Sequence, residues 1–494
     1  MRSIKKLLAL LTAALMLAGA AACGAPGAQS AVTSDTAADT EPAETTTEGY
    51  ISGVPDDADF EGAEVRVLNS PTQQAAIEML SIMESDGDII NDAMYKRNLD
   101  VMKNLNVELV YTNDINANAC DAVTRFVQAG DDSYELVLEA QYQQIKIILQ
   151  GMYADIIDAP YIDVSMPWWP SNYIHGLNIG NTHRYLLTGD ASPDFLRWIA
   201  TTYYNKQVYA DFFGDADGLY QTVLDGEWTL DLVNTMTESV YSDLNGNGKN
   251  DMEDMLGCLL NTAASADAIY FNAGAVVVYY DKDGAPVLDP VTDRTIKVVE
   301  QMYRLFYENP ATGVYGADWN MINNQFTAKF AADEMLFNFA WMFTADYLRA
   351  MESDYGVIPY PKSDESVEEY RAMPHNDVSC YAIPAACQNV ELACAALEEL
   401  AYLGYMNTSP AYYEIAMKTK YMRDSSDVAA QMMDLIHDSA FSDTGYVFAS
   451  QINSAGYLGR DLMGRKSKDV VSYYATKEEA AKAKFAEFVA LYMG

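Results

Sequence analysis

Apolar and polar positions alternate through EGAEVRVLNSP (61–71), which predicts a strand that hands over to a polar turn at Asn69, Ser70 and Pro71. Met79, Met83, Ile89, Met94, Leu99, Val101 and Leu105 then recur at roughly helical spacing, so a long helical stretch is expected next. NVELVYTN (106–113) reads as a second strand, DAVTRFVQAGDD (121–132) as a helix stopped by Gly130, and YELVLEAQ (134–141) as a third strand. Strands that alternate with helices need crossover connections. This order therefore predicts an α/β fold with parallel pairing and helices on both faces of the sheet.

The pattern continues less regularly. Residues 144–170 (QIKIILQGMYADIIDAPYIDVSMPWWP) predict a helix and then a Pro- and Trp-rich loop, and HRYLLTGDAS (183–192) a short strand with a turn. WIATTYYNKQVYADFF (198–213) leads into new helices, one of which begins near Thr229. EMLFNFAW (334–341) is a buried strand, YGVIPYPK (355–362) an extended connector and SCYAIPAA (379–386) another strand. VELACAALEELAYLGYM (390–406) forms an amphipathic helix, and the remainder reads as mostly helical, with no internal repeat.

Composition sets bounds on this picture. With 494 residues, half of them hydrophobic, the chain has material for two to three domain-sized units. A formal charge of −40 argues against nucleic acids and anionic membrane surfaces as partners, since their phosphates are repelled at long range. Residues 1–22 read as a signal peptide: Arg2, Lys5 and Lys6 precede an apolar run too short for a comfortable membrane span. LAGAAAC resembles a lipoprotein signal in which Cys23 receives lipid, but Ala20 stands where Leu is usual, and the three alanines before Cys23 also suit ordinary signal peptidase. Both readings cut before Cys23. Residues 23–58 then form a small, polar, acidic tether, so that the only expected membrane contact is a lipid anchor. Cys120, Cys258, Cys380, Cys387 and Cys394 show no metal spacing and read as small buried hydrophobes; one disulfide is compatible with export, but its pairing is not readable.

DLNGNGKNDMED (243–254) places oxygen-bearing Asp243, Asn245, Asn247, Asp251 and Asp254 at loop positions one, three, five, nine and twelve, with Gly248 at the turn and Lys249 offering a carbonyl. This spacing suits a structural calcium ion. Asn at two of the acidic positions and a short Asp at the last weaken the site, and an Asn/Gly turn that binds nothing fits the same residues. No second copy follows, as a paired calcium sensor would require.

Several segments in order resemble the extracellular (family 1) solute-binding proteins of bacterial ABC importers, sugar-binding type. They are the lipoprotein-like start and tether, YELVLEAQ, APYIDVSMPWW, YYNKQVYADFF, GEWTLDLV with the Asn/Gly/Asp loop, and LRAMESDYGVIPYPK. The resemblance implies a two-lobed periplasmic-binding-protein-like fold (type II), joined by hinge strands around a ligand cleft. Lobe one would comprise 59–200 plus 357–405 and lobe two 201–356 plus 406–494. It further implies a monomer outside the cell membrane, anchored or periplasmic, that captures a sugar or oligosaccharide for ABC permease subunits, with no organic cofactor.

Independently of that resemblance, ligands of open parallel sheets bind beyond the carboxyl ends of strands. The candidates are therefore Asn69 and Ser70; Glu139, Gln141 and Tyr142; Asn261; Trp341 and Met342; and Asp377. A neutral sugar needs flat rings for its C–H face and amide or acid groups for its hydroxyls, so Trp168, Trp169 and Trp341 are the expected platforms. His175, His183, His375 and His437 lack metal spacing and read as packing or surface residues. No HExxH, GxSxG, P-loop or dinucleotide fingerprint occurs, which points away from an enzyme. Carboxylate pairs for glycoside hydrolysis leave no local signature, so an exported glycosidase or surface polysaccharide-binding protein is the alternative.

Overall fold

A computed structural model describes residues 49–70, 81–113, 119–178, 180, 182–318, 321–413 and 427–493, without the side chains of Ser70, Asn323, Tyr492 and Met493. The expected signal peptide, Cys23, the tether up to residue 48, and Met79 lie outside the described residues.

Three early strands and one late one build a four-stranded sheet in the order β11-β3-β1-β2, with β1 (Ala63–Ser70), β2 (Val107–Asn113), β3 (Leu136–Ala140) and β11 (Ser379–Ala382). β1 lies between β2 and β3, parallel to both, and β11 closes the edge antiparallel to β3. All five residues of β3 are buried, as a strand covered on both faces requires. Helix α1 starts at Ile89 and ends at Leu105, later than the apolar spacing from Met79 suggested. Its start is set by Asp88, whose carboxylate accepts the N–H groups of Ile90 and Asn91. Met83, outside the helix, is exposed. Helix α2 (Ala119–Ala129) ends at Gly130 with a φ of 68°, where a left-handed residue ends the helix without a side-chain clash. Helix α3 (Gln141–Ile148) follows β3 directly.

The second sheet runs β10-β4-β9-β5-β8. It contains β4 (Ala200–Asn205), β5 (Leu256–Asn261), β8 (Thr312–Tyr315), β9 (Met335–Trp341) and β10 (Tyr355–Ile358). β5 is parallel to β8 and β9, while β4 runs antiparallel to its neighbours β9 and β10. The segment expected as a connector thus begins as a strand, and Pro359 and Pro361, which lack N–H groups, stand where the ladder stops. HRYLLTGDAS forms no strand; Leu187 makes one isolated bridge to Tyr381. A small hairpin joins β6 (Val278–Tyr280) and β7 (Pro286–Leu288). Helix α4 (Leu230–Val240) precedes the Asn/Gly loop, α5 (Ala264–Asn272) follows β5, α6 (Val390–Leu403) packs on α1, and α7 (Leu458–Gly464) packs on α5.

The result is the two-lobed α/β architecture, with one sheet at the centre of each lobe. The chain passes from the first sheet to the second at β4 and returns after β10. Cys120, Cys258, Cys380, Cys387 and Cys394 are buried, and among the described residues no disulfide joins any two of them. Among the described residues, no helix is long and apolar enough to cross a membrane.

Candidate functional site

A cavity of about 300 Å³ opens where loops from the carboxyl ends of strands in both sheets converge. The first sheet contributes Tyr142, the second residue of α3, and the segment His375–Asp377 just before β11. These two pieces are clamped together, since Gln141 and Tyr142 donate their backbone N–H groups to the carbonyls of Val378 and Asn376. The second sheet contributes Asn261 and the following Ala263 and Ala264, and Ala317 and Asp318 after β8; Arg460 reaches in from α7.

Each polar wall has a defined chemical state. The side-chain oxygen of Asn261 accepts the N–H groups of Ala263 (2.9 Å) and Ser265 (3.2 Å), leaving its NH₂ group to offer an occupant. Arg460 donates Nε (2.6 Å) and Nη2 to Asp267, and its guanidinium lies 4.2 Å from the centre of the Tyr457 ring. Burial pulls the Arg460 pKa down to about 10, which still leaves it charged at neutral pH.

His375 sits in an aromatic box, with its ring centre 5.2 Å from that of Trp198 and 5.4 Å, edge to face, from that of Trp341. Burial pushes its pKa down to about 3, so the imidazole is neutral. Its Nδ1 accepts the N–H of Asp377 at 3.2 Å, which assigns the ring proton to Nε2. The Asp377 carboxylate lies 3.5 Å from the same nitrogen, a contact with a neutral ring and not an ion pair. Burial raises the Asp377 pKa to about 6.

Of the residues expected from strand ends, Tyr142, Asn261 and Asp377 line this cavity. Asn69 is fully buried at the end of β1, with neither amide atom hydrogen-bonded among the described residues. Ser70 pairs in register with Glu139, and its side chain lies outside the described residues. Glu139 turns inward, accepting the N–H groups of Ala119 at the start of α2 and of Ala140, so it works as a cap. Gln141 is buried behind Tyr142 in sequence, with no partner for its Nε2. Met342 is buried, and its carbonyl accepts the Tyr203 hydroxyl at 2.9 Å.

The tryptophan platforms need correction. Trp168 and Trp169 are packing residues: Trp168 meets the rings of Tyr402 and Tyr50, and Trp169 donates its indole N–H to Glu398 on α6. Trp341 packs against Trp198, Phe343 and His375, one layer behind the cavity wall. With 0–2% of their surface exposed, none of the three presents a ring to an occupant. His375, read as a packing residue, is a wall of the cavity; its HxD spacing to Asp377 was the signal available. Arg460 had no local signal, because its partner Asp267 is 193 residues away.

The Asn/Gly loop lies elsewhere, after α4. Asp243 accepts the N–H groups of Gly246, Asn247 and Gly248, and Asp254 those of Leu244 and Asp251. Asn245 and Asn247 both direct NH₂ groups to Asp251. Lys249 gives its N–H to Asn247 and its carbonyl accepts from Tyr241. Among the described residues, no group of three or more His, Cys, Asp or Glu side chains is placed to hold a metal ion.

No family model matches the chain, and no curated protein matches it. Solved structures do. The maltose/maltodextrin-binding domain MalE from Bdellovibrio bacteriovorus, bound to maltotriose, is 13% identical with a TM-score of 0.51, over 87% of this chain and 100% of that one. A cyclo/maltodextrin-binding protein complexed with maltotetraose is 12% identical with a TM-score of 0.54, over 86% and 97%. UgpB from Mycobacterium tuberculosis, in complex with glycerophosphocholine, is 13% identical with a TM-score of 0.51, over 81% and 96%. At such identities the likeness is one of fold, and it extends over nearly the full length of those chains.

Proposed function

We propose that this protein captures a carbohydrate outside the cell and delivers it to the permease of an ABC importer. The observation that carries the reading is the cavity where strand-end loops of both sheets converge, lined on one side by Tyr142 and His375–Asp377 and on the other by Asn261, Asp318 and Arg460. An occupant touching both sides is bound fully only when the lobes are closed, so binding shifts the population toward closure. The lobes divide at about 200, 357 and 405, and the protein works as a monomer without catalytic turnover. Relatives in fold are bound to maltotriose and maltotetraose, which supports a saccharide as the cargo. Export through residues 1–22 and anchoring through Cys23 would place the capture site at the outer membrane surface, where a permease can be met.

The loop 243–254 is proposed as a calcium staple remote from the cavity. In this structure two amide NH₂ groups supply the positive charge density that Asp251 faces; a calcium ion would replace them and draw the oxygens of Asp243, Asn245, Asn247, Asp251, Asp254 and the Lys249 carbonyl together.

Calorimetry against mono- to tetrasaccharides, joined to small-angle scattering, tests the capture reading. The expected result is micromolar binding of at least one sugar, a smaller radius of gyration with that sugar present, and recovery of the sugar unchanged. Hydrolysis products would make the protein a glycosidase, and binding of peptides but no sugar would overturn the cargo.

A further inference from the structure

The capture reading leaves the chemistry of the cargo open, and one group in the cavity narrows it, provided that reading holds. Asp377 has a side chain 15% exposed, and among the described residues no N–H or O–H donates to its carboxylate and no Lys or Arg forms an ion pair with it. Its atoms face the cavity they line. His375, the nearest titratable side chain, is neutral and turns toward it the nitrogen that already accepts a backbone N–H. Asp194, buried and bound to the Ser379 N–H, and buried Tyr446 are near enough to feel the Asp377 charge; neither brings a positive one. Across the cavity, the Arg460 charge is matched by Asp267. The fixed charge left over in this cavity is negative.

A carboxylate withdrawn from water without a partner is unfavourable, so an occupant that provides the partner is favoured. A sugar hydroxyl provides one donor and no charge. A primary ammonium provides three donors and the missing charge. A quaternary ammonium needs an aromatic cage; Tyr142 is the one phenol ring among the lining residues, and Lys146 Nζ already lies 5.1 Å from its centre. A volume of about 300 Å³ is at the small end of ligand pockets and suits one or two sugar rings.

We infer that the cargo is a small amino sugar whose primary ammonium docks on Asp377, while its hydroxyls meet Asn261, Asn376 and Tyr142. The neutral His375 walls the ammonium site without repelling it. Anionic sugars, such as uronic acids, are rejected by Asp377.

The test is calorimetry near pH 7 with the mature protein, using glucosamine, galactosamine and mannosamine, the parent hexoses, and the β1→4 dimers of glucosamine and of glucose. A charge-assisted hydrogen bond predicts that an amine binds about 10- to 100-fold tighter than its hydroxyl parent. Asp377→Asn should remove that preference, cutting the amine's affinity about 10- to 100-fold and that of the neutral parent by less. A neutral parent that binds as tightly as its amine overturns the amino-sugar inference and leaves sugar capture standing. Binding of spermidine, which has no sugar ring, at the affinity of the amino sugars overturns the sugar reading and leaves the ammonium site. Equal loss of both ligands in Asp377→Asn also overturns the inference, since the carboxylate would then serve hydroxyls alike.

Discussion

Mild acidification should stabilise this protein, and the size of the effect can be worked from four buried groups. Asp190, Asp377 and Asp443 are each pushed up to about 6 by burial, from an ordinary 3.8. Asp443 is raised although it accepts the backbone N–H groups of Val277, Val278, Gly445 and Tyr446. A carboxyl whose folded pKa lies above its unfolded value binds a proton first in the folded state. Its contribution to stability is therefore complete below 3.8 and is lost as pH rises through 6. Going from about pH 7 to pH 5, each of the three adds about 1 kcal/mol or slightly more, together about 4 kcal/mol. His375 works against them: its folded pKa is depressed to about 3, so the unfolded chain takes up a proton below 6.5 that the fold refuses, at a cost of about 2 kcal/mol over the same interval.

The expected balance is a gain of about 2 kcal/mol at pH 5 relative to pH 7. Burial also raises Asp194 and Glu398, in the same sense, and lowers His175, in the opposite one. At His437, burial is outweighed by Asp438 and Asp190, and its raised pKa adds to the gain. Urea unfolding followed by tryptophan fluorescence at several pH values measures the balance directly. For a chain of this length, the same gain appears as a rise in Tm of about 2 °C. In Asp443→Asn the gain should shrink by about 1 kcal/mol. Stability that is flat or falling between pH 7 and 5 would refute the reasoning, since it would mean that these carboxyls are hydrated in the fold.

Two further outcomes are expected. Glu398→Ala leaves the Trp169 indole N–H and the Gly53 N–H without an acceptor, so it should destabilise the fold by about 2–4 kcal/mol in urea melts with ligand affinity unchanged; weakened binding at full stability would return Trp169 to the binding site. Millimolar calcium should raise Tm over a chelator control, and Asp251→Asn should abolish the rise; identical melts would make the loop a turn held by its own hydrogen bonds.

Periodicity exposed β1, β2, β3, β9, β11 and α6 because each is one buried strand or stripe flanked by turn residues. It missed β4, although β4 is an interior strand of its sheet. All six residues of ATTYYN are buried, so no polar face marks the strand, and the following KQVYADFF continues as a helix without a break. β8 is only TGVY, and with it went the Ala317–Asp318 wall. The strand-end rule found Tyr142, Asn261 and Asp377 because it depends on topology. It also collected Glu139, whose position is right but whose carboxylate faces the start of α2. Aromatic content was a poor guide: an indole fills a core as readily as it stacks on a sugar, and Glu398 offers Trp169 the acceptor that makes burial acceptable.

The cavity wall and the chain crossing are mechanically one piece. His375 donates its backbone N–H to Trp198 and shares an aromatic box with Trp198 and Trp341, and the Tyr203 hydroxyl on β4 donates to the carbonyls of Trp341 and Met342. The segment bearing Asp377 is thus fixed to the strands that carry the chain into the second lobe. Because His375 stays neutral over the physiological range, this box does not respond to pH, and Asp377 is the lining residue that does. Its protonation has opposite consequences for the free and the loaded protein. It relieves a desolvated charge in the empty cavity, which strengthens the fold, and it removes the counter-charge of an ammonium ligand, which weakens capture. Intrinsic stability and ligand-induced stabilisation must therefore diverge as pH falls through about 6; if they moved together, Asp377 would not be the group that holds the cargo.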